Sequence, residues 1–237
     1  MSSTTIYITN KCYGDNFGSQ YHYLIAILLT CYASGYEFIY NKLTQIENND
    51  LDYIERMENL MNLRPHFTPF GDESLNNAFI TIYDMTVKHV MNSNIDYYAK
   101  DTHLLKIKEM FWANKDRTNV FDNNGKTNVA VHISNATPID SIQRLRDEYN
   151  ILSENGNLIF HIYSDDSTSM DLFQSYIADD IIIHMNEDIE SIFISMVAAD
   201  MLITSNSYLS YTAALLSDGI IYYHSNENPP RNAWISL

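Results

Sequence analysis

One run of the chain, DMLITSNSYLSYTAALLSDGIIYY (residues 200–223), admits few folds. MLIT (201–204) is apolar without alternation, the pattern of a strand covered on both faces in a parallel sheet. A polar turn follows (Ser205, Asn206, Ser207), then a helix over 208–216 and a second strand after Gly219. Ser207 is placed to cap that helix. The helix N-terminus directs N–H groups and a partial positive charge at whatever lies above the strand end, which suits a phosphate. The same spacing also describes an ordinary strand-to-helix turn with a capping serine, so the other strand ends must decide.

Taken in order, residues 5–9 read as a strand, 10–19 as a loop with two glycines, and 20–34 as a strongly apolar helix closed by Gly35. Residues 36–40 are the next strand, so the chain opens on a βαβ unit with a right-handed crossover. Residues 50–114 read as mostly helical, with loops at 64–66 and 69–71. Leu51, Ile54, Met57, Leu60 and Met61 recur at helix spacing, as do Phe79, Ile82, Met85 and Val90, then Leu104, Leu105, Ile107 and Met110. These stripes read as core rather than as a cofactor box. The polar run 117–126 is the candidate linker, giving an N-terminal domain over 1–122 and a C-terminal domain over 127–237.

The second half alternates strands (128–133, 158–163, 180–184, 201–204) with helices (140–154, 170–176, 188–199, 208–216). Repeated units of this kind give an α/β fold with a doubly wound parallel sheet, whose ligands bind at the carboxyl ends of the strands. The chain carries 30 Asp and Glu against 14 Lys and Arg, a net charge of −16. That balance argues against nucleic-acid backbones and anionic membranes as partners. Two cysteines far apart suggest a reducing cytosol, no apolar run is long enough to span a bilayer, and no signal peptide is evident. A soluble, cytoplasmic protein is the expectation.

Polar residues fall where the strand-end rule wants them. Lys11 to Ser19 follow the first strand; Ser134 and Asn135 follow the strand that ends with His132 and Ile133; Ser164, Asp165 and Asp166 follow the next; Ser205 to Tyr208 follow the last. Two half-domains facing one another along these edges would form a cleft for a nucleotide-bearing ligand. Asp165 and Asp166 could coordinate a divalent metal, bond a base or ribose, or cap a helix. His132 is a ligand contact or a satisfied core histidine, and His161 and His184, inside strands, read as structural. Zinc-ligand spacing, a Walker loop and a nucleophile elbow are all missing from the sequence.

Four segments, in order, resemble fucosyltransferases of the bacterial alpha-1,2 type. ITSNSYLSYTAALL (203–216) resembles their NSTFSWWGAWL segment, VHI (131–133) the start of HIRRGD, IYSDD (162–166) their FSDD, and FGSQ (17–20) the LGNQ of GGLGNQ. The resemblance covers nearly the whole chain. It implies a GT-B glycosyltransferase of two Rossmann-like domains, inverting and metal-independent, taking a nucleotide-sugar, with a GDP-sugar favoured over a UDP-sugar. By position, Asn206, Ser207 and Tyr208 would meet the donor phosphates. His132 would lie near the diphosphate, Asp165 near the base or ribose, and Phe17, Gly18, Ser19 and Gln20 on the acceptor side.

Two departures stand out. The family arginine after His-Ile is Ser134 here, and the asparagine of GNQ is Ser19. Losing a fixed cation from a departing diphosphate costs several kcal/mol unless it is replaced. Lys11 and Arg231 are the candidate replacements, and Asp15 and His22 the candidate general bases. The sequence therefore reads as an enzyme moving a sugar to a glycan hydroxyl, with homodimer formation left open. The alternatives are a catalytically silent relative that binds glycan or nucleotide-sugar as a partner subunit, and a metal-dependent transferase using Asp165 and Asp166.

Overall fold

The computed structural model describes residues 5–12, 14–47, 50–72, 80–82 (backbone only), 95–121, 125–133, 158–164, 179–184, 187–224 and 228–237. The chain divides into two compact α/β units, Met1–Lys115 and Asp116–Leu237.

The first unit runs β1 (Tyr7–Thr9), α1 (Phe17–Ser34), β2 (Glu37–Tyr40), α2 (Leu51–Met61), a 3-10 turn (Arg64–His66), β3 (Thr68–Pro69), β4 (Ile80–Ile82), α3 (Ile95–Tyr98) and α4 (Asp101–Trp112). Its four described strands are parallel in the order β3-β2-β1-β4. Helix α1 is apolar on most of its circumference and buries Leu24, Ile25, Leu28 and Leu29, as a helix enclosed by its unit must. It begins one turn earlier than residue 20, because the Asn16 side chain accepts the Ser19 N–H at 2.9 Å and nucleates the first turn. Gly35 ends it at φ 69°, a left-handed conformation that glycine adopts without strain.

The helical reading of 50–114 needs three corrections. Thr68–Pro69 and Ile80–Ile82 are strands, and Ile82 pairs with Thr9. Its two β-branched neighbours favour the pleated conformation over a helical turn. Leu51 is 79% exposed and Leu105 55%, so neither belongs to the core, whereas Ile54, Met57, Leu60, Met61, Leu104, Ile107 and Met110 do. Phe79, Met85 and Val90 lie outside the described residues. At the end of α4, Trp112 packs edge-on against Phe111, ring centroids 5.0 Å apart.

The second unit contains β5 (Thr127–Ile133), β6 (Leu158–Ser164), β7 (Ile181–Ile183), α5 (Ile189–Ala198), β8 (Met201–Ile203), α6 (Tyr208–Leu216), β9 (Ile220–Tyr223) and β10 (Ile235–Ser236). These strands form a parallel sheet in the order β10-β9-β8-β5-β6-β7. Strand alternation divides its two faces. Val129, Val131, Phe160, Ile162, Met201 and Ile203 share one apolar core cluster. Asn128, His132, His161 and Tyr163 alternate with those residues and so face the other way. The helices expected at 140–154 and 170–176 lie outside the described residues.

The polar run expected as a linker is tied to this second unit. Arg117 Nη1 donates to Asp218 Oδ2 at 2.7 Å, and the Asp116 carboxylate accepts from Thr118 and Asn119. The Arg117–Asp218 pair is about half exposed, so its contribution to stability is at most about 1 kcal/mol. Among the described residues no helix is long and apolar enough to cross a membrane.

Candidate functional site

The sheet order of the second unit reverses between β5 and β8: β6 and β7 lie on one side of β5, and β8 to β10 on the other. In doubly wound sheets the crevice beyond the strand carboxyl ends at such a reversal is the ligand site. His132, near the end of β5, and Ser205, two residues past β8, meet across it through a 2.7 Å hydrogen bond between Nδ1 and Oγ. Both side chains are buried.

The turn after β8 is built to present the N-terminus of α6. The Ser205 N–H donates to Ser210 Oγ at 3.1 Å, and the Ser210 hydroxyl in turn reaches the Ser207 carbonyl at 3.2 Å. Ser207 has extended backbone angles and caps α6, its Oγ accepting the Leu209 N–H at 3.2 Å. Ser207→Ala should therefore cost about 1 kcal/mol, read as a lower urea midpoint with an unchanged slope. Thr204, fully buried, closes the other side: its N–H donates to the Tyr222 carbonyl and its Oγ1 accepts the His224 N–H, each at 3.0 Å. Asn206 is exposed, and Ser207 and Tyr208 are partly exposed.

A C-terminal strap lies against the same helix end. Tyr211, in the first turn of α6, donates its hydroxyl to the Pro229 carbonyl at 2.9 Å, and Tyr223 donates to the Asn228 carbonyl. Trp234 packs on both tyrosines, at 5.1 Å from Tyr211 and 5.9 Å from Tyr223. Side chains on a helix lean toward its N-terminus, so Tyr211 holds the Pro229 carbonyl near the start of α6, two residues before Arg231 in the chain. Sequence reasoning singled out Arg231 but missed Thr204, Ser210, Tyr211, Tyr223 and Trp234. The one local signal was Ser210 in the first helical turn, a residue type that competes for backbone groups there.

In the first unit, Phe17, Gly18, Ser19 and Gln20 form the buried first turn of α1. The Gln20 amide donates to the carbonyls of Asp15 (2.9 Å) and Gln45 (2.7 Å), fixing the preceding loop. Lys11 and Asp15 in that loop are exposed, whereas His22 is only 1% exposed inside α1. Ser164 ends β6 with its hydroxyl on the Ile133 carbonyl at 3.2 Å. Ser134, Asn135, Asp165 and Asp166 lie outside the described residues. Among the described residues, no group of three or more His, Cys, Asp or Glu is arranged to hold a metal ion.

No protein-family model matches the chain, and no characterised protein matches it in sequence. In structure it is similar to the E. coli heptosyltransferase WaaC with ADP-2-deoxy-2-fluoro heptose, at 12% identity and TM-score 0.50, over 98% of this chain and 93% of that one. It is also similar to the fucosyltransferase NodZ from Bradyrhizobium, at 12% identity and TM-score 0.45, over 91% and 94%. At such identity the first likeness establishes the fold alone: the two units are Rossmann-like domains of the GT-B type.

Proposed function

We propose that the chain is a glycosyltransferase of the fucosyltransferase-like kind, moving a sugar from a nucleoside diphosphate to a glycan hydroxyl with inversion and without a metal. The observation that carries this reading is the Ser205–Ser207 turn at the sheet's order reversal, bonded to His132 and opening helix α6. A helix N-terminus at a switch point suits a diphosphate. The order of the four motifs supports a GDP-sugar as donor, and the heptosyltransferase with its ADP-sugar analogue makes an adenine nucleotide the competitor to test.

In this reading the α6 N-terminus and Arg231 take up the charge that develops on the departing diphosphate, Arg231 standing in for the family arginine that is Ser134 here. Inversion needs one base to accept the acceptor's hydroxyl proton. Asp15 is exposed in its loop and His22 is buried, so Asp15 is the better placed of the two. The Gln20 amide holds that loop in shape.

The test is thermal unfolding against GDP, UDP, ADP and CDP, with and without magnesium. A nucleotide at about 100 times its dissociation constant adds about 2.7 kcal/mol. The expected result is a shift with GDP that magnesium leaves unchanged. Arg231→Ala should weaken GDP binding about thirtyfold, the loss of about 2 kcal/mol from a charge-assisted hydrogen bond. No shift with any nucleotide would overturn the donor site. Binding without turnover for any sugar donor would favour the silent partner subunit, which the loss of the family arginine motivates.

A further inference from the structure

The second unit holds a cavity of about 480 Å³ that none of the donor-turn residues lines. It sits on the sheet face opposite the apolar cluster, between β6, β7, the segment 119–121 and helix α5. Along it runs a chain of planar side chains. Asn128 Oδ1 lies 3.1 Å from His161 Nε2, His161 Nδ1 lies 2.9 Å from His184 Nε2, and His184 Nδ1 lies 2.6 Å from Glu187 Oε1. An amide, two imidazoles and a carboxylate so linked cannot rotate independently.

The donors and acceptors say what such a chain offers. Each end group spends one polar atom inside the chain and keeps a second. Asn128 keeps its Nδ2, a donor, and Glu187 keeps its Oε2, an acceptor. Asn119 adds its Oδ1 as another acceptor, one N–H of its Nδ2 being given to Asp116 at 2.7 Å. Burial and the neighbouring His184 hold His161 down to about 4, so at neutral pH it is an uncharged spacer. Apolar side chains complete the wall, with Phe121 on His161 at 4.6 Å and Ile159, Ile182 and Ile194 around them.

Charge selects against anions. Among the described lining residues there is no Lys or Arg, the Glu187 carboxylate is answered by His184 at 2.6 Å, and the whole chain carries −16. A nucleotide or phosphate would enter against that field. A hydroxyl both donates and accepts, so adjacent hydroxyls match an amide donor and carboxylate acceptor held in fixed register. The C–H face of a sugar ring matches an apolar wall. Cavities of this size, mostly apolar with a few placed polar groups, hold small organic ligands.

We propose that this cavity is a binding site for a neutral saccharide, with Asn128 and Glu187 reading hydroxyl groups and Phe121 supporting the ring face. The site is separate from the donor turn and does not depend on the transferase reading. If that reading also holds, the unit that takes the nucleotide-sugar carries a second hold on glycan.

Saturation-transfer NMR on the full chain tests it, with methyl glucoside, methyl galactoside, N-acetylglucosamine, lactose and diacetylchitobiose as probes and tetramethylammonium as the cationic control. At least one saccharide should receive saturation. Glu187→Ala and Phe121→Ala should each weaken its binding about fivefold or more, the effect of one lost hydrogen bond or apolar contact. Ile182→Trp, made at a position 43% exposed, should block the cavity from its open side and abolish the signal. Each variant is checked for an unchanged melting temperature and an unchanged response to GDP. Transfer to no saccharide, transfer undiminished in all three variants, or transfer to tetramethylammonium alone would overturn the proposal. The GDP response separates that failure from failure of the donor site.

Discussion

Gly219→Ala should lower the melting temperature of the chain by about 6–12 °C, from a loss of about 3 kcal/mol. A Cβ at Gly219 would lie 2.4 Å from the Ala199 carbonyl oxygen and 2.7 Å from that of Asp200. Both are backbone atoms, so no flexible side chain can swing away. Nor can the backbone yield cheaply. The Asp200 carbonyl accepts the Ile220 N–H at 2.9 Å, the Asp200 carboxylate accepts the Asn128 N–H at 2.8 Å, and the Gly219 N–H donates to Ser217 Oγ at 3.0 Å. Moving residue 219 away would pull apart the start of the β8–β9 pairing. Calorimetry on the variant decides the matter, and a fall of less than about 2 °C would mean that this corner relaxes.

The second large effect is acid sensitivity through His161, which is 7% exposed and held down to about 4 by burial and by His184. The unfolded chain protonates this histidine near its ordinary 6.5, whereas the folded chain resists until about 4. Between those values the unfolded state binds more protons, so stability falls as pH falls. The loss from this group should reach about 2 kcal/mol at pH 5 and level off at about 3 kcal/mol below pH 4. Above pH 6.5 it should vanish. Urea midpoints between pH 7.5 and 4.5 measure the slope, and His161→Phe should flatten it while carboxylates elsewhere titrate as before. An identical slope in the variant would assign the acid sensitivity to other groups.

The second unit was legible because its strands are short apolar runs, each ending in polar residues. Ser207 caps α6 as its place before the apolar run predicts, and Gly35 closes α1 in the left-handed conformation. What stayed hidden depends on partners distant in sequence. His161 and His184 are unremarkable inside their own strands and meet only because the β6–β7 register sets His161 beside Ile182. Tyr211 and Pro229, 18 residues apart, gain meaning only when the strap folds back. The strand at 80–82 was masked by apolar residues on either side at helix spacing, although its two isoleucines and threonine favour a strand. The early start of α1 rests on one asparagine side chain, a cap that outweighs the glycine in the turn that follows.

The chain has two tryptophans, and they fall one to each unit: Trp112 against Phe111 at the end of α4, and Trp234 between Tyr211 and Tyr223. Each unit thus carries its own optical reporter. In a Trp112→Phe background, indole emission follows the strap that bears Arg231, and energy passed from Tyr211 and Tyr223 to Trp234 falls as that strap moves away. In a Trp234→Phe background the remaining emission follows the first unit alone. One fluorimeter can thereby tell the loosening of the strap from the melting of either half, with no label added to the protein.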